Sequence, residues 1–180
     1  MPYSMKTLSC DPARIKGMSE RLIISHYENN YGGAVKRLNL IDEKLAELDF
    51  GTAPGFLING LKREQLIATN SMILHELFFD GLADQSEPHS ALRDAIIRDF
   101  GSFDRWRSEF IAMGKALGGG SGWVLLSWSP RDGKLVNQWH PTTATPWPAA
   151  HRSWRSICTS TPIRWISAPR QPVTSIRSWR

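Results

Sequence analysis

The sequence predicts an α+β fold. Two long stretches carrying a helical apolar stripe come first, two shorter helical stretches follow, and a Gly-rich turn then opens two β-prone runs. Helices first and strands later is the pattern of segregated α and β layers.

Residues 1–18 read as an irregular arm. A helix starts after Ser19, with Ser as N-cap and Glu20 in the first turn, and runs through SERLIISHYENNYGGAVKRLNLIDEKLAEL, loosened at Gly32-Gly33. Leu22, His26 and Asn30 fall on one face at i, i+4 and i+8, and Val35, Leu38, Ile41 and Leu45 carry a similar stripe onward. Residues 50–58, FGTAPGFLI, hold Gly, Pro and Gly and read as a loop. A second helix is expected over Leu61–Gly81, with Ala68, Ser71, Met72, His75, Phe79 and Leu82 on one face. After the polar loop ADQSEPHS, shorter helices are expected around Ser90–Phe100 and Phe103–Leu117, the latter capped by Ser102. GGGSGWVLLSW and KLVNQW then form a hairpin with Arg131-Asp132-Gly133 at its tip.

Hydrophobic and charged fractions of 41% and 22% are ordinary for a globular chain. No apolar run is long enough to span a bilayer, and MPYSMKTLSC lacks the apolar core of a signal peptide, so no membrane partner and a cytoplasmic location are expected. Two cysteines, Cys10 and Cys158, give no disulfide framework. The net charge of +5 would fit a nucleic-acid binder, but its distribution argues otherwise. Residues 141–180 hold six Arg, no Lys and no acid, whereas 1–140 hold 16 basic and 17 acidic residues. That tail also has six Pro, four Trp and twelve Ser or Thr, with neither helical nor strand periodicity. It reads as an unselected composition, and no nucleic-acid partner is expected.

Each long helix thus carries one histidine on a mostly apolar face, and two imidazoles facing across a helical hairpin can bind a first-row transition metal. Taken singly, a histidine on an apolar face is more often a hydrogen-bonded core residue. His89 sits in a polar loop, and His140 and His151 border or lie in the tail.

Four segments in order give the pair more weight: SHYENNYGGAVKRLN, NSMILHELFFDGL, DFGSFDRWRSEF, and GGGSGWVLLSW followed by DGKL. Over about residues 15–139 the chain resembles the iron/manganese superoxide dismutases. The resemblance implies a helical hairpin packed on a C-terminal α/β lobe with an antiparallel sheet, incomplete here. It divides the chain into a hairpin domain at 1–83, a partial α/β domain at 84–140 and a tail at 141–180. It also implies a homodimer, superoxide as substrate, and one Fe or Mn held by three His and one Asp. Carried over by position, His26 and His75 match the two helical metal ligands. The family's usual His and Tyr four and eight residues after the first ligand are Asn30 and Ala34 here, which leaves Tyr27, Asn30 and Tyr31 as the candidates to assist near the metal. Leu74 stands where the family often has Asn, and no Asp-x-Trp-Glu-His motif occurs.

The tail explains that last gap. When the last base of each codon is regrouped with the first two of the next, Trp147-Pro148 can only encode Ala and Trp165-Ile166 can only encode Asp. HRSWRSICTSTPIRWISA then permits TPILALDMYEHSYPMDFG, a version of the missing ligand motif. The expectation is a frameshift near His140 and an out-of-frame, disordered tail, with activity of this exact chain impaired. The alternative is a non-enzymatic remnant whose hairpin serves as a dimerisation module.

Overall fold

The computed structural model describes residues 1–82, 90–116 and 122–140. The polar loop with His89, the Gly-rich stretch before the hairpin, the expected domain boundary at 83/84, the side chain of His140 and the whole tail with His151 lie outside the described residues. The elements are α1 (Glu20–Ser25), a π-helical turn (His26–Tyr31), α2 (Gly32–Ala46), α3 (Gly55–Asp80), α4 (Ser90–Phe100), α5 (Phe103–Ala116), β1 (Trp123–Ser129) and β2 (Lys134–His140). This is the α+β order expected, and the chain divides into two compact units after Asp80.

In the first unit, the Ser19 hydroxyl accepts from the Leu22 amide at 3.2 Å and starts α1 as expected. The helix then departs from plain α geometry. Its wide turn falls on His26–Tyr31, just ahead of the Gly pair where loosening was expected. A π-turn places one extra residue in a turn and slips the inward face by one position. The inward positions accordingly run Ile23, half-buried His26, Tyr31, Val35 and Leu38, with a five-residue step from 26 to 31. This corrects the expected face of Leu22, His26 and Asn30: Leu22 is 48% exposed and Asn30 is turned out to solvent. Beyond the turn the regular stripe returns, and Val35, Leu38, Ile41 and Leu45 are all buried.

Asp49 shapes the connection to α3, its carboxylate accepting from the Gly51 amide at 2.9 Å and the Thr52 hydroxyl at 2.8 Å. The α3 helix begins six residues earlier than expected. The Pro54 carbonyl accepts from the amides of Leu57 and Ile58, so proline sits at the helix start, where its missing N–H is harmless. The first turn is built on Gly55, with Gly60 following, and leaves Phe56 81% exposed, which is why it reads as loop in the sequence. The two long helices run antiparallel: Asp42 accepts from Gln65 at 2.6 Å, Arg37 pairs with Glu64, and further along Tyr31 meets Glu76.

In the second unit, Leu92 and Ile96 of α4, Trp106 and Phe110 of α5, Val124 and Leu126 of β1 and Leu135 of β2 form one buried cluster. Gly101, at φ 87°, ends α4 by donating its amide to the Ile97 carbonyl at 2.8 Å. The Ser102 hydroxyl caps α5 by accepting from the Arg105 amide at 3.1 Å. The strands pair antiparallel from Trp123↔His140 to Ser129↔Lys134, with the expected tip and Gly133 at φ 61°.

Candidate metal centre

The extra residue of the π-turn leaves His26 facing His75 of α3. Their ring centroids are 4.9 Å apart, with the planes tilted by 40°. Phe78 and Phe79 wall the His26 ring at 5.5 and 6.0 Å. The Nδ1 of His75 lies 2.6 Å from the Ser71 backbone carbonyl, so Nδ1–H donates there and the lone pair of the neutral ring sits on Nε2. This is the arrangement in which a metal-ligating histidine is oriented by a carbonyl behind it.

The Nε2 of His26 is buried with no hydrogen-bond partner. Burial first, and the neighbouring His75 second, push the His26 imidazole down to about 4. Burial likewise lowers His75, against the opposing effect of the Ser71 carbonyl. Both rings are therefore neutral at pH 7, the form that ligates. An unpaired buried nitrogen is destabilising by about 1–3 kcal/mol, and coordination of a transition cation by His26 would remove that penalty. The donor chemistry fits iron or manganese. Among the described residues no group of three His, Cys, Asp or Glu is placed to hold a metal ion, so the pair alone could supply at most two ligands.

Two of the other candidates stand beside the pair. Tyr31 is 1% exposed, its ring stacked on His75 at 6.5 Å and 23°. Its hydroxyl donates to Glu76 Oε1 at 3.0 Å and accepts from the Lys6 amide at 2.8 Å. Burial, together with the Glu76 carboxylate, pushes this phenol up to about 12, against the pull of the Lys6 amide. Tyr27 packs edge-on against Phe79 at 5.4 Å and donates its hydroxyl to the Lys6 carbonyl at 2.6 Å. Asn30 is exposed and outside this cluster. Ala34, where the resemblance would put a tyrosine, is buried.

Sequence reasoning placed Ser71 on the histidine face but gave it no role, and it passed over Lys6 and Glu76. Ser71 was legible as the residue one helical turn before His75. Lys6 had no local signal, because its partners lie 21, 25 and 70 residues away.

Comparison with known proteins gives the chain's family. The family of iron/manganese superoxide dismutases, C-terminal domain, matches residues 88–158. The superoxide dismutase [Fe] of Cupriavidus metallidurans is 70% identical over 139 residues, which cover 77% of this chain and 71% of that protein. The superoxide dismutase [Fe] of Aquifex aeolicus is 33% identical over 132 residues, covering 69% and 61% of the two chains. The superoxide dismutase [Mn] 2 of Haloferax volcanii is 32% identical over 126 residues, covering 67% and 59%. The chain thus spans about three-fifths of the length of the more distant relatives. With 70% identity over most of its length to the Cupriavidus protein, the chain belongs to the iron/manganese superoxide dismutase family.

Proposed function

We propose that His26 and His75 are two of the metal ligands of a superoxide dismutase centre that takes Fe or Mn, and that the 180-residue chain as written completes that centre poorly. The observation that carries the ligand reading is the buried, unpartnered Nε2 of His26 beside an imidazole whose Nδ1–H is already committed to a carbonyl. A bound iron or manganese supplies one-electron cycling between +3 and +2, so that two superoxide anions and two protons become O2 and H2O2. The chain's own residues hold the two imidazoles neutral, fix the orientation of His75 through Ser71, and exclude water with Phe78 and Phe79.

The impairment follows from the missing Asp-x-Trp-Glu-His motif and from the tail whose regrouped codons permit it, which we read as a frameshift near residue 140. Two neutral nitrogens leave a cation without charge compensation and hold it weakly. A homodimer in the cytoplasm is the assembly we expect of the in-frame product. No helix among the described residues is long and apolar enough to cross a membrane.

The test is a titration of the full chain with Mn(II) or anaerobic Fe(II), followed by metal analysis after gel filtration and an assay with superoxide. Weak uptake that His26→Ala and His75→Ala each abolish is expected. A single-base correction of the gene near codon 140 is expected to restore one ion per chain and activity. Uptake indifferent to both substitutions overturns the ligand assignment, and family-like activity from the uncorrected chain overturns the impairment.

A further inference from the structure

We infer that the N-terminal arm positions the metal-ligand pair, acting through Tyr31 and Glu76; this rests on the assignment of His26 and His75 as ligands. The arm is irregular but is pinned at four places. Asn39 exchanges two hydrogen bonds with the backbone of Tyr3, at 2.8 and 2.9 Å. Lys6 accepts from Tyr27 through its carbonyl, donates to Tyr31 through its amide, and joins Glu76 Oε2 at 2.7 Å through its ammonium. Ser9 donates to the Phe79 carbonyl at 3.3 Å. Met5 lies over Gly32, so closely that a Cβ there would stand 3.0 Å from its sulfur.

These pins converge on His75. Glu76 is its chain neighbour, and Tyr31 stacks on its ring. The Tyr31 hydroxyl has its proton committed to Glu76 and a lone pair committed to the Lys6 amide. The phenol is therefore a tether, not a proton source, and the part of Tyr31 that meets the site is its ring. His75 is thus held at Nδ1 by the Ser71 carbonyl and on its face by a ring that the arm fixes. Tyr31, Glu76 and Lys6 are positioning residues, because none of them needs to touch substrate to act.

The experiment uses the full metal-free chain and follows the His75 imidazole by NMR alongside endoproteinase Lys-C cleavage after Lys6. Tyr31→Phe keeps the ring and removes the tether. It is expected to move and broaden the His75 ring resonances and to speed cleavage at Lys6 about tenfold, with unchanged far-UV circular dichroism. Gly32→Ala, which displaces Met5, is expected to do the same. Gly33→Ala, where an added Cβ meets nothing within 4 Å, is the control and should do neither. With Co(II) as the probe metal, Tyr31→Phe is expected to weaken binding about tenfold, the lower range for partners that orient a ligand. Unmoved His75 resonances and unchanged cleavage in Tyr31→Phe overturn the inference. A Co(II) spectrum indifferent to His75→Ala overturns instead the ligand assignment beneath it.

Discussion

In the unit that ends at Asp80, the inward face of the hairpin carries buried Tyr31, Asn70 and His75 and half-buried His26 among its apolar side chains. In the unit that follows, the buried cluster is purely apolar apart from the Trp106 indole, which donates to Asn137 at 3.1 Å, and Asn137 donates in turn to Glu109 at 3.0 Å. Asp99 closes another polar end there, its carboxylate accepting from the Leu135 amide at 2.6 Å. Among the described residues each unit keeps one buried side-chain atom without a hydrogen-bond partner: the His26 Nε2 in the first and the Gln138 Oε1 in the second. An unmet buried atom by itself therefore does not separate the two units; what sets His26 apart is the second imidazole, 4.9 Å away between ring centroids.

The contrast can be broken or sharpened by experiment, since all three tyrosines lie in the first unit and every tryptophan after Asp80. The largest effect is expected from Trp106→Ala, which empties the apolar cluster and leaves Asn137 without its donor. A loss of about 3–5 kcal/mol is expected in denaturant unfolding followed by the remaining tryptophans. Acid should act next, and on the other unit. A histidine whose folded value lies below 6.5 protonates more readily when unfolded. In the metal-free chain, stability owed to neutral His26 is therefore complete above pH 6.5 and is lost as the pH falls from 6.5 to about 4. That span is worth roughly 3 kcal/mol, and tyrosine signals should record it. The second unit should respond only at lower pH. The Arg98 guanidinium and the Leu135 amide hold the Asp99 carboxylate below 3.8, so its contribution is complete above 3.8 and fades beneath it. Equal response of both units between pH 6.5 and 4 would remove the distinction.

Smaller effects compare like with like. Ser19→Ala and Ser102→Ala remove the same kind of cap from each unit and should each cost about 1 kcal/mol in thermal unfolding. Gly33→Ala, on an exposed helical site with open space, is expected to stabilise by up to about 1 kcal/mol. Gly101→Ala is expected to destabilise, because its φ of 87° strains any residue with a side chain.

Local rules carried most of the fold. Ser19 and Ser102 cap where expected, the α2 stripe of Val35, Leu38, Ile41 and Leu45 is buried, and the hairpin turns at Arg131-Asp132-Gly133. The histidine pair was legible as well, because each ring lies on an apolar helical face. What escaped was non-local or contrary to propensity. Gly55 and Gly60 hid the first turns of α3, and the arm's bonds from Lys6 span up to 70 residues. The π-turn escaped for a different reason: an i, i+4 rule assumes uniform winding, and here one turn holds an additional residue.

That turn also has a consequence for chain length. A helix with a residue in surplus can lose one there and still present the same faces on either side. Deleting exposed Glu28 would let the stretch relax to ordinary α winding, with Ile23 before it and Val35 and Leu38 beyond it still directed inward. The same deletion within α2, where no surplus exists, would rotate every later side chain by about 100°, one residue's share of a 3.6-residue turn. The His26–Tyr31 stretch is thus the place where this helix can absorb a one-residue deletion without losing its register against α3.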